Sequence, residues 1–317
     1  MTSTTGSIIT VTLNPAVDKT LEVPGFQLGA HAQAELKALV PAGKGVNVAR
    51  GIVRLGGRAA ACAFIGRDEE RMFAERLSAE GVEARFCVVA GRTRTNTTVL
   101  DPEAHTTTHL RERGFEVGAE DVRALRMALT DWLAERREAT AVFAGSLPPA
   151  MSPADFGALI GACASRGARV FVDTSGPALQ AALETRLVDA LKPNLLELGE
   201  CLGGAVERSE APRAAERLLD RVGTVLLTLG AEGAFVIRRG LTVGRRCPVP
   251  GREVRNTVGC GDAFLAGWLR GEQLCDDPAE ALCWAVAAGA ASAVSETTVG
   301  YALADVEALL PRCEPVG

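Results

Sequence analysis

Ala141-Val142-Phe143-Ala144-Gly145-Ser146-Leu147-Pro148-Pro149 sets the rhythm of this chain. Four apolar residues in a row suit a strand buried on both faces, and the glycine and prolines end it at once. A helical stretch at 153–165 follows, then a second apolar strand at 168–172 that stops at Asp173. Strand, polar turn, helix and strand are the repeating unit of a parallel sheet. Working outward towards the start, a strand at 8–13 ends in Asn14-Pro15. A glycine-rich turn at 42–45 opens a helix that Gly56-Gly57 stops, and 59–65 reads as a buried strand. An amphipathic helix over 68–79 and a strand over 83–89 come next. Towards the far end, strands at 188–191 and 222–229 each close in a polar turn. A hairpin turns at Arg238-Arg239-Gly240, and helices follow Gly259 and Pro278. The expected fold class is α/β, a doubly wound, mostly parallel sheet flanked by helices. Two stretches do not fit a parallel core. Residues 20–40 alternate loosely, and 94–110 are threonine-rich around Asp101-Pro102-Glu103-Ala104. They predict a small separate β-sheet, a lid, built from about 14–40 and 90–114 and inserted in the α/β core of one domain.

Composition narrows the function classes. The 317 residues are 47% apolar, enough for a sizeable core, and only 4% aromatic. With a net charge of −5, a general nucleic-acid binder is not expected. The nine cysteines are scattered, odd in number and without a C-x-x-C pair. They fit reduced thiols in a cytoplasmic protein, not a disulfide framework or zinc site. Residues 1–7 lack the basic and apolar blocks of a signal peptide, and no apolar run is long enough to span a membrane.

In open α/β sheets ligands gather at the carboxyl ends of the strands, and the polar punctuation falls there repeatedly. Asn14 and Asp18 follow the first strand, Gly145-Ser146 the one at 141–144, Lys192-Pro193-Asn194 the one at 188–191, and Gly230 and Gly233 the one at 222–229. Glu197 lies one helical turn beyond Asn194; the pair suits either a helix cap or a magnesium ion held through water. Gly43-Lys44-Gly45 is a glycine-rich helix start with Asn47 on its first turn, and it is not a Walker A loop. Neither Gly-x-Gly site extends to G-x-G-x-x-G, which disfavours a dinucleotide fold. Arg92, Arg94, Arg111 and Arg113 flank the lid hairpin; Arg94 is the favoured phosphate clamp.

Gly259-Cys260-Gly261-Asp262 leads into the apolar run 263–269. A Gly-x-Gly turn that opens a helix exposes backbone N–H groups and the positive end of the helix dipole. Taken alone, it reads either as a capped helix or as a site that stabilises a transferring phosphoryl group while Asp262 takes a proton.

Six segments together resemble the ribokinase-like sugar kinases, in their phosphofructokinase B branch. They are Thr12-Leu13-Asn14-Pro15-Ala16-Val17-Asp18, Ala42-Gly43-Lys44-Gly45-Val46-Asn47-Val48-Ala49, Gly145-Ser146-Leu147-Pro148, Lys192-Pro193-Asn194-Leu195-Leu196-Glu197, Leu229-Gly230-Ala231-Glu232-Gly233 and Thr257-Val258-Gly259-Cys260-Gly261-Asp262. The resemblance runs nearly end to end. It implies ATP-dependent, magnesium-assisted phosphorylation of a sugar phosphate. Asp262 would be the catalytic base, with the N–H groups of Gly259, Cys260 and Gly261 as anion hole. Asp18, Gly43 and Asn47 would hold sugar hydroxyls, beside Ser146. Lys44 and Arg94 would face the phosphate already on the sugar. Lys192, Asn194 and Glu197 would serve the ATP phosphates and magnesium; Thr228, Gly230 and Gly233 would line the nucleotide site, with Gly289 near the adenine. The lid would close over the sugar and build a homodimer contact.

Asn14-Pro15-Ala16 with Ala42-Gly43-Lys44-Gly45 most resembles the 1-phosphofructokinases, which make fructose 1,6-bisphosphate from fructose 1-phosphate. Tagatose-6-phosphate kinases and 6-phosphofructokinases share most of these residues. A sugar-phosphate sensor without catalysis is a further alternative. The family usually has alanine or serine where Cys260 stands. A thiol at a helix start suits either a small buried filler or a reactive group of lowered pKa.

Overall fold

The computed structural model describes residues 6–249 and 254–316. Residues 1–5, part of the stretch read for a signal peptide, lie outside the described residues. The main sheet has ten strands. In chain order these are β1 (Ile8–Thr12), β4 (Ala59–Gly66), β5 (Glu83–Val89), β8 (Thr140–Ala144), β9 (Arg169–Asp173), β10 (Val188–Leu191), β11 (Val222–Thr228), β12 (Ala234–Arg238), β13 (Leu241–Arg246) and β14 (Glu314–Val316). Their spatial order is β14-β13-β12-β11-β10-β9-β8-β1-β4-β5. From β5 to β11 every neighbour is parallel; β12, β13 and β14 add on antiparallel. The expected doubly wound sheet is thus present. The short edge strand β14 was not foreseen, because its Glu-Pro-Val has no alternation to read.

The parallel strands are apolar throughout because both faces are covered. Ile9, Val11, Cys62, Phe64 and Phe143 point into one core; Ile8, Ala61, Ala63, Ile65 and Val142 point into the other. The second core is closed by α1 (Lys44–Arg54), α2 (Glu70–Ala79), α8 (Cys260–Leu274), α9 (Pro278–Val294) and α10 (Leu303–Leu309). The first is closed by α3 (Ala119–Ala134), α4 (Pro153–Ala164), α5 (Gly176–Thr185), α6 (Leu195–Leu202) and α7 (Ala211–Ala215). Helices α8 and α9 pack tightly because Gly267 and Gly271 have no side chain. A Cβ at 267 would lie 2.5 Å from the Trp284 carbonyl oxygen.

A second sheet of four strands has the order β3-β2-β6-β7, with β2 (Ala16–Glu22), β3 (Glu35–Ala42), β6 (Arg94–Asp101) and β7 (Thr106–Arg111). It is the separate sheet that the threonine-rich alternation predicts. Its central pair, β2 and β6, is parallel. Strand β2 begins two residues earlier than Asp18, so Asp18 sits in this sheet and not in the turn after β1. The 101–104 turn is held by Asp101, which accepts N–H groups from Gly25, Phe26, Glu103 and Ala104. Among the described residues no helix is long and apolar enough to cross a membrane.

Candidate active site

Between β1 and β8 the chain winds away in opposite directions, which opens a crevice at the carboxyl ends of the strands. The glycine-rich start of α1 is pressed against β1. Gly43 has φ 134°, and a Cβ there would lie 2.7 Å from Thr12 Cγ2. At Gly45 it would lie 2.5 Å from Thr12 Oγ1. No other residue lets Lys44 and Asn47 rise into the crevice from so close to the strand.

Asp262 is the third residue of α8 and is 6% exposed. Asn47 Nδ2 donates to its Oδ2 at 2.9 Å. Burial, and then the charge of Asp173, push the Asp262 carboxyl up to about 7; Asn47, Lys44 and Lys192 pull the other way. Asn47 was expected on a sugar hydroxyl. Its amide nitrogen holds the Asp262 carboxylate, and its buried Oδ1 has no partner among the described residues.

Asp173 joins this centre, and the sequence reading assigned it no role. It ends β9 fully buried, with Lys44 Nζ 2.9 Å from Oδ1 and Lys192 Nζ 3.2 Å from Oδ2. Burial disfavours its ionised form, but the two ammoniums outweigh burial and hold the carboxyl below its ordinary range. Burial likewise works against the charge on Lys44. Asp173, Asp262 and Glu197 overcome it and hold that ammonium firmly protonated. Lys44 thus pairs with Asp173 at the end of β9, near Asp262 and Glu197. A strand ending in a lone Asp was the available signal, but its partners lie 129 residues before it and beyond β10.

The turn before Asp262 is shaped by close approach. Gly259 has φ 83°, and a Cβ there would lie 2.4 Å from Thr298 Cγ2. A Cβ on Gly261 would lie 3.4 Å from Lys192 Nζ, so that ammonium sits over the first turn of α8. Among the described residues no side chain caps this helix start. Its first N–H groups and the ammonium together suit an anion. The Cys260 thiol donates to the Asn256 carbonyl at 3.6 Å. Burial raises its pKa in spite of its place at the helix start, so the lowered, reactive thiol gives way to the filler reading. Gly289 places α9 against this turn; a Cβ there would make an ordinary contact with the Cys260 carbonyl oxygen, at 3.5 Å.

On the other side, Asn194 and Glu197 form a reciprocal cap. Asn194 N–H donates to Glu197 Oε2 and Glu197 N–H to Asn194 Oδ1, both at 2.9 Å. Glu197 is 7% exposed, and burial raises its carboxyl. Among the described residues no group of three or more His, Cys, Asp or Glu could hold a metal ion. A single carboxylate of this kind suits magnesium, which keeps most of its water and binds phosphate oxygens. Thr228 bridges to Asn194 and donates its N–H to the Pro193 carbonyl at 3.0 Å. Gly230 and Gly233 shape the turn after β11, with φ 65° and 105°. Asn14 ties the two rims together, donating to the Arg113 carbonyl at 3.2 Å, the Leu147 carbonyl at 3.3 Å and Ser146 Oγ at 3.5 Å.

In the small sheet Asp18 accepts from Asn96 Nδ2 at 3.0 Å. Burial raises its carboxyl against the pull of Asn96, Arg94 and Arg111. The Arg94 guanidinium donates to the carbonyls of Asn14, Pro15 and Glu112, at 2.9, 3.2 and 3.4 Å, and so pins the base of the sheet. Arg92 pairs with Asp68 and Glu69. Arg111 stands opposite Asn96 in the ladder, near Asp18 and Arg94. It is exposed, and its side chain takes no hydrogen bond or ion pair among the described residues.

This constellation, a buried carboxylate under an anion-binding turn with paired lysines, belongs to a phosphotransferase. The chain matches the pfkB family of carbohydrate kinases over residues 9–302 and belongs to that family. It is 37% identical over 275 residues to a 1-phosphofructokinase of Rhodobacter capsulatus, covering 86% of each chain. It is 33% identical over 314 residues to a 1-phosphofructokinase of Haemophilus influenzae, covering 98% of this chain and 97% of the relative. The phosphofructokinase-2 of Escherichia coli, solved in complex with potassium, superposes with a TM-score of 0.89 at 26% identity, over 96% of this chain and 98% of that one. The protein is a sugar kinase that uses ATP.

Proposed function

We propose that this enzyme transfers the terminal phosphoryl group of ATP to fructose 1-phosphate, giving fructose 1,6-bisphosphate and ADP. The observation that carries the reading is Asp262, a buried carboxylate whose pKa of about 7 suits proton removal from an alcohol. The 1-phosphofructokinases from two organisms, matched over most of their length, support the choice of sugar.

The acceptor hydroxyl donates its proton to Asp262, and its oxygen attacks the phosphorus in line with the departing ADP oxygen. Charge on the transferring group is met by the N–H groups of Gly259, Cys260 and Gly261 and by the ammoniums of Lys44 and Lys192. Such fixed donors matter because the reaction needs positioning and charge neutralisation more than covalent chemistry. Asn47 holds the carboxylate in line and turns its unpartnered Oδ1 to the sugar; Asp18, Gly43 and Ser146 bind the remaining hydroxyls. Arg111, with Arg94 fixing the base of the small sheet, takes the phosphate already on the sugar. Glu197, its carboxylate oriented by Asn194, would hold magnesium through water, and the metal would supply charge neutralisation at the ATP phosphates. Thr228, Gly230, Gly233 and Gly289 line the nucleotide. The small sheet acts as the lid, and Leu36, Leu39 and Leu110, exposed at 54%, 48% and 57%, dock it on a second copy. Cytoplasmic location accords with the free thiols.

A coupled ADP-release assay over fructose 1-phosphate, fructose 6-phosphate and tagatose 6-phosphate tests the proposal. The expected result is a kcat/KM for fructose 1-phosphate that exceeds the others by at least an order of magnitude, as a missing phosphate contact at either end would cost. Preference for a 6-phosphate reassigns the sugar. Stabilisation by a sugar phosphate with no ADP released makes the protein a sensor.

A further inference from the structure

Three of the nine cysteines, far apart in sequence, meet at the outer end of α9. Cys247 follows β13, Cys283 lies in α9, and Cys313 precedes β14; all three are half-buried and free. The thiols of Cys247 and Cys313 both point at the Leu309 carbonyl, at 3.7 and 3.9 Å. Cys313 also reaches the Cys283 carbonyl at 3.6 Å. Its thiol lies beside the side chains of both other cysteines. Two guanidiniums flank the group: Arg245 lies beside Cys283, and Arg312 lies near Cys247. Glu280 is the opposing charge beside Cys283.

The group divides unevenly. The neighbouring Cys313 thiol and then Arg245 pull the Cys283 thiol down, against burial and Glu280. The two neighbouring thiols, with burial, push Cys313 up. Elsewhere burial raises the thiols of Cys62, Cys87, Cys163 and Cys201 and leaves them inert. A thiolate beside a neutral thiol, in a cationic and half-open setting, is the arrangement that reacts with peroxides.

We propose that Cys283 and Cys313 are a hydroperoxide-reactive thiol pair that closes a disulfide between α9 and the C-terminal strand. The Cys283 sulfur attacks the terminal oxygen of the hydroperoxide and the O–O bond breaks. The departing alkoxide takes a proton from solvent and leaves as an alcohol, or as water from hydrogen peroxide. Cys283 is oxidised by two electrons to a sulfenic acid. Cys313 then loses its proton and attacks that sulfur, and the S–O bond breaks with release of water. In sum, two thiols and one hydroperoxide give one disulfide, one alcohol and one water. An external dithiol reverses the step by exchange.

The test is to expose the full chain to one equivalent of hydrogen peroxide, alkylate the remaining thiols and map the cysteines by peptide mass spectrometry. A Cys283–Cys313 cross-link that dithiothreitol removes is expected to form before any other cysteine is oxidised. In Cys313→Ser, Cys283 should accumulate as a sulfenic acid that dimedone traps. In Arg245→Gln its oxidation should slow several-fold. The proposal is overturned if Cys87 or Cys275 is oxidised as fast as Cys283, if the cross-link joins Cys247 instead, or if Cys313→Ser traps no sulfenic acid. None of these readouts depends on kinase activity.

Discussion

The carboxyl edge of the main sheet and the small four-stranded sheet solve opposite problems with similar residue types. At the edge the charges are shared, and all but the half-exposed Lys44 are buried. Asp173, wholly enclosed, holds Lys44 and Lys192, and Lys192 is itself only 6% exposed. In the small sheet the strands leave charges half-open, and leucines at 36, 39 and 110 face solvent. Burial strengthens each electrostatic contact and fixes its geometry. Exposure leaves a surface that can move and adapt. The comparison supports the division of labour in the proposed function, where the edge supplies rate and the small sheet the choice of sugar and of partner.

Four substitutions would break or sharpen that division, from the largest effect to the smallest. Asp262→Asn should lower kcat by about 10²–10⁴-fold, the usual worth of a placed base, with both substrates still bound. The folded carboxyl is raised from its ordinary 3.8 to about 7, so the native state favours the neutral form. The resulting stability cost is absent below about pH 4 and complete above about pH 7. Asp262→Asn should therefore melt higher than the parent at pH 8 and equally at pH 4. A lower Tm at pH 8 would deny the burial cost.

Asp173→Asn should cut kcat by roughly 10²-fold by loosening both lysines, again at the edge and again on rate. Measured KM values should change little; a selective rise for the sugar phosphate would blur the division. Arg111→Ala belongs to the other region and should raise KM for the sugar phosphate about 10–100-fold, the worth of one or two charge-assisted hydrogen bonds. An equal rise for ATP would remove Arg111 from the sugar side. Smallest on turnover is Leu39→Glu. It should halve the mass in sedimentation equilibrium and leave kcat near that of the parent enzyme; an unchanged mass would end the docking role of this face.

The edge was legible in the sequence because its turns combine glycines with polar residues just after apolar runs. Glycine is forced there by positive φ and close approach, as at Gly43 and Gly259. Asp173 was not legible as functional, since one carboxylate at a strand end resembles any turn residue until Lys44 and Lys192 are brought to it. The favoured arginine also depended on tertiary structure. Arg94 and Arg111 flank one hairpin, and only the ladder register and the insertion of β2 beside β6 show which is spent on main-chain carbonyls. Asn194 and Glu197 could be read equally as cap or ligand; their reciprocal hydrogen bonds show the cap, and the ligand role belongs to the proposed function. The cysteine cluster carries no sequence signal, because its members share neither a motif nor a spacing.

The pH dependence of kcat/KM for the sugar phosphate, in the parent enzyme beside Asp173→Asn, tests the central claim most directly. Asp262 must be ionised to take the proton, so activity should fall tenfold per pH unit below an apparent pKa near 7. Removing the Asp173 charge should move that limb to lower pH, because a like charge nearby holds the Asp262 carboxyl up. A limb that stays in place in the variant, or a parent profile flat from pH 5.5 to 8, would contradict a buried base poised by its neighbours.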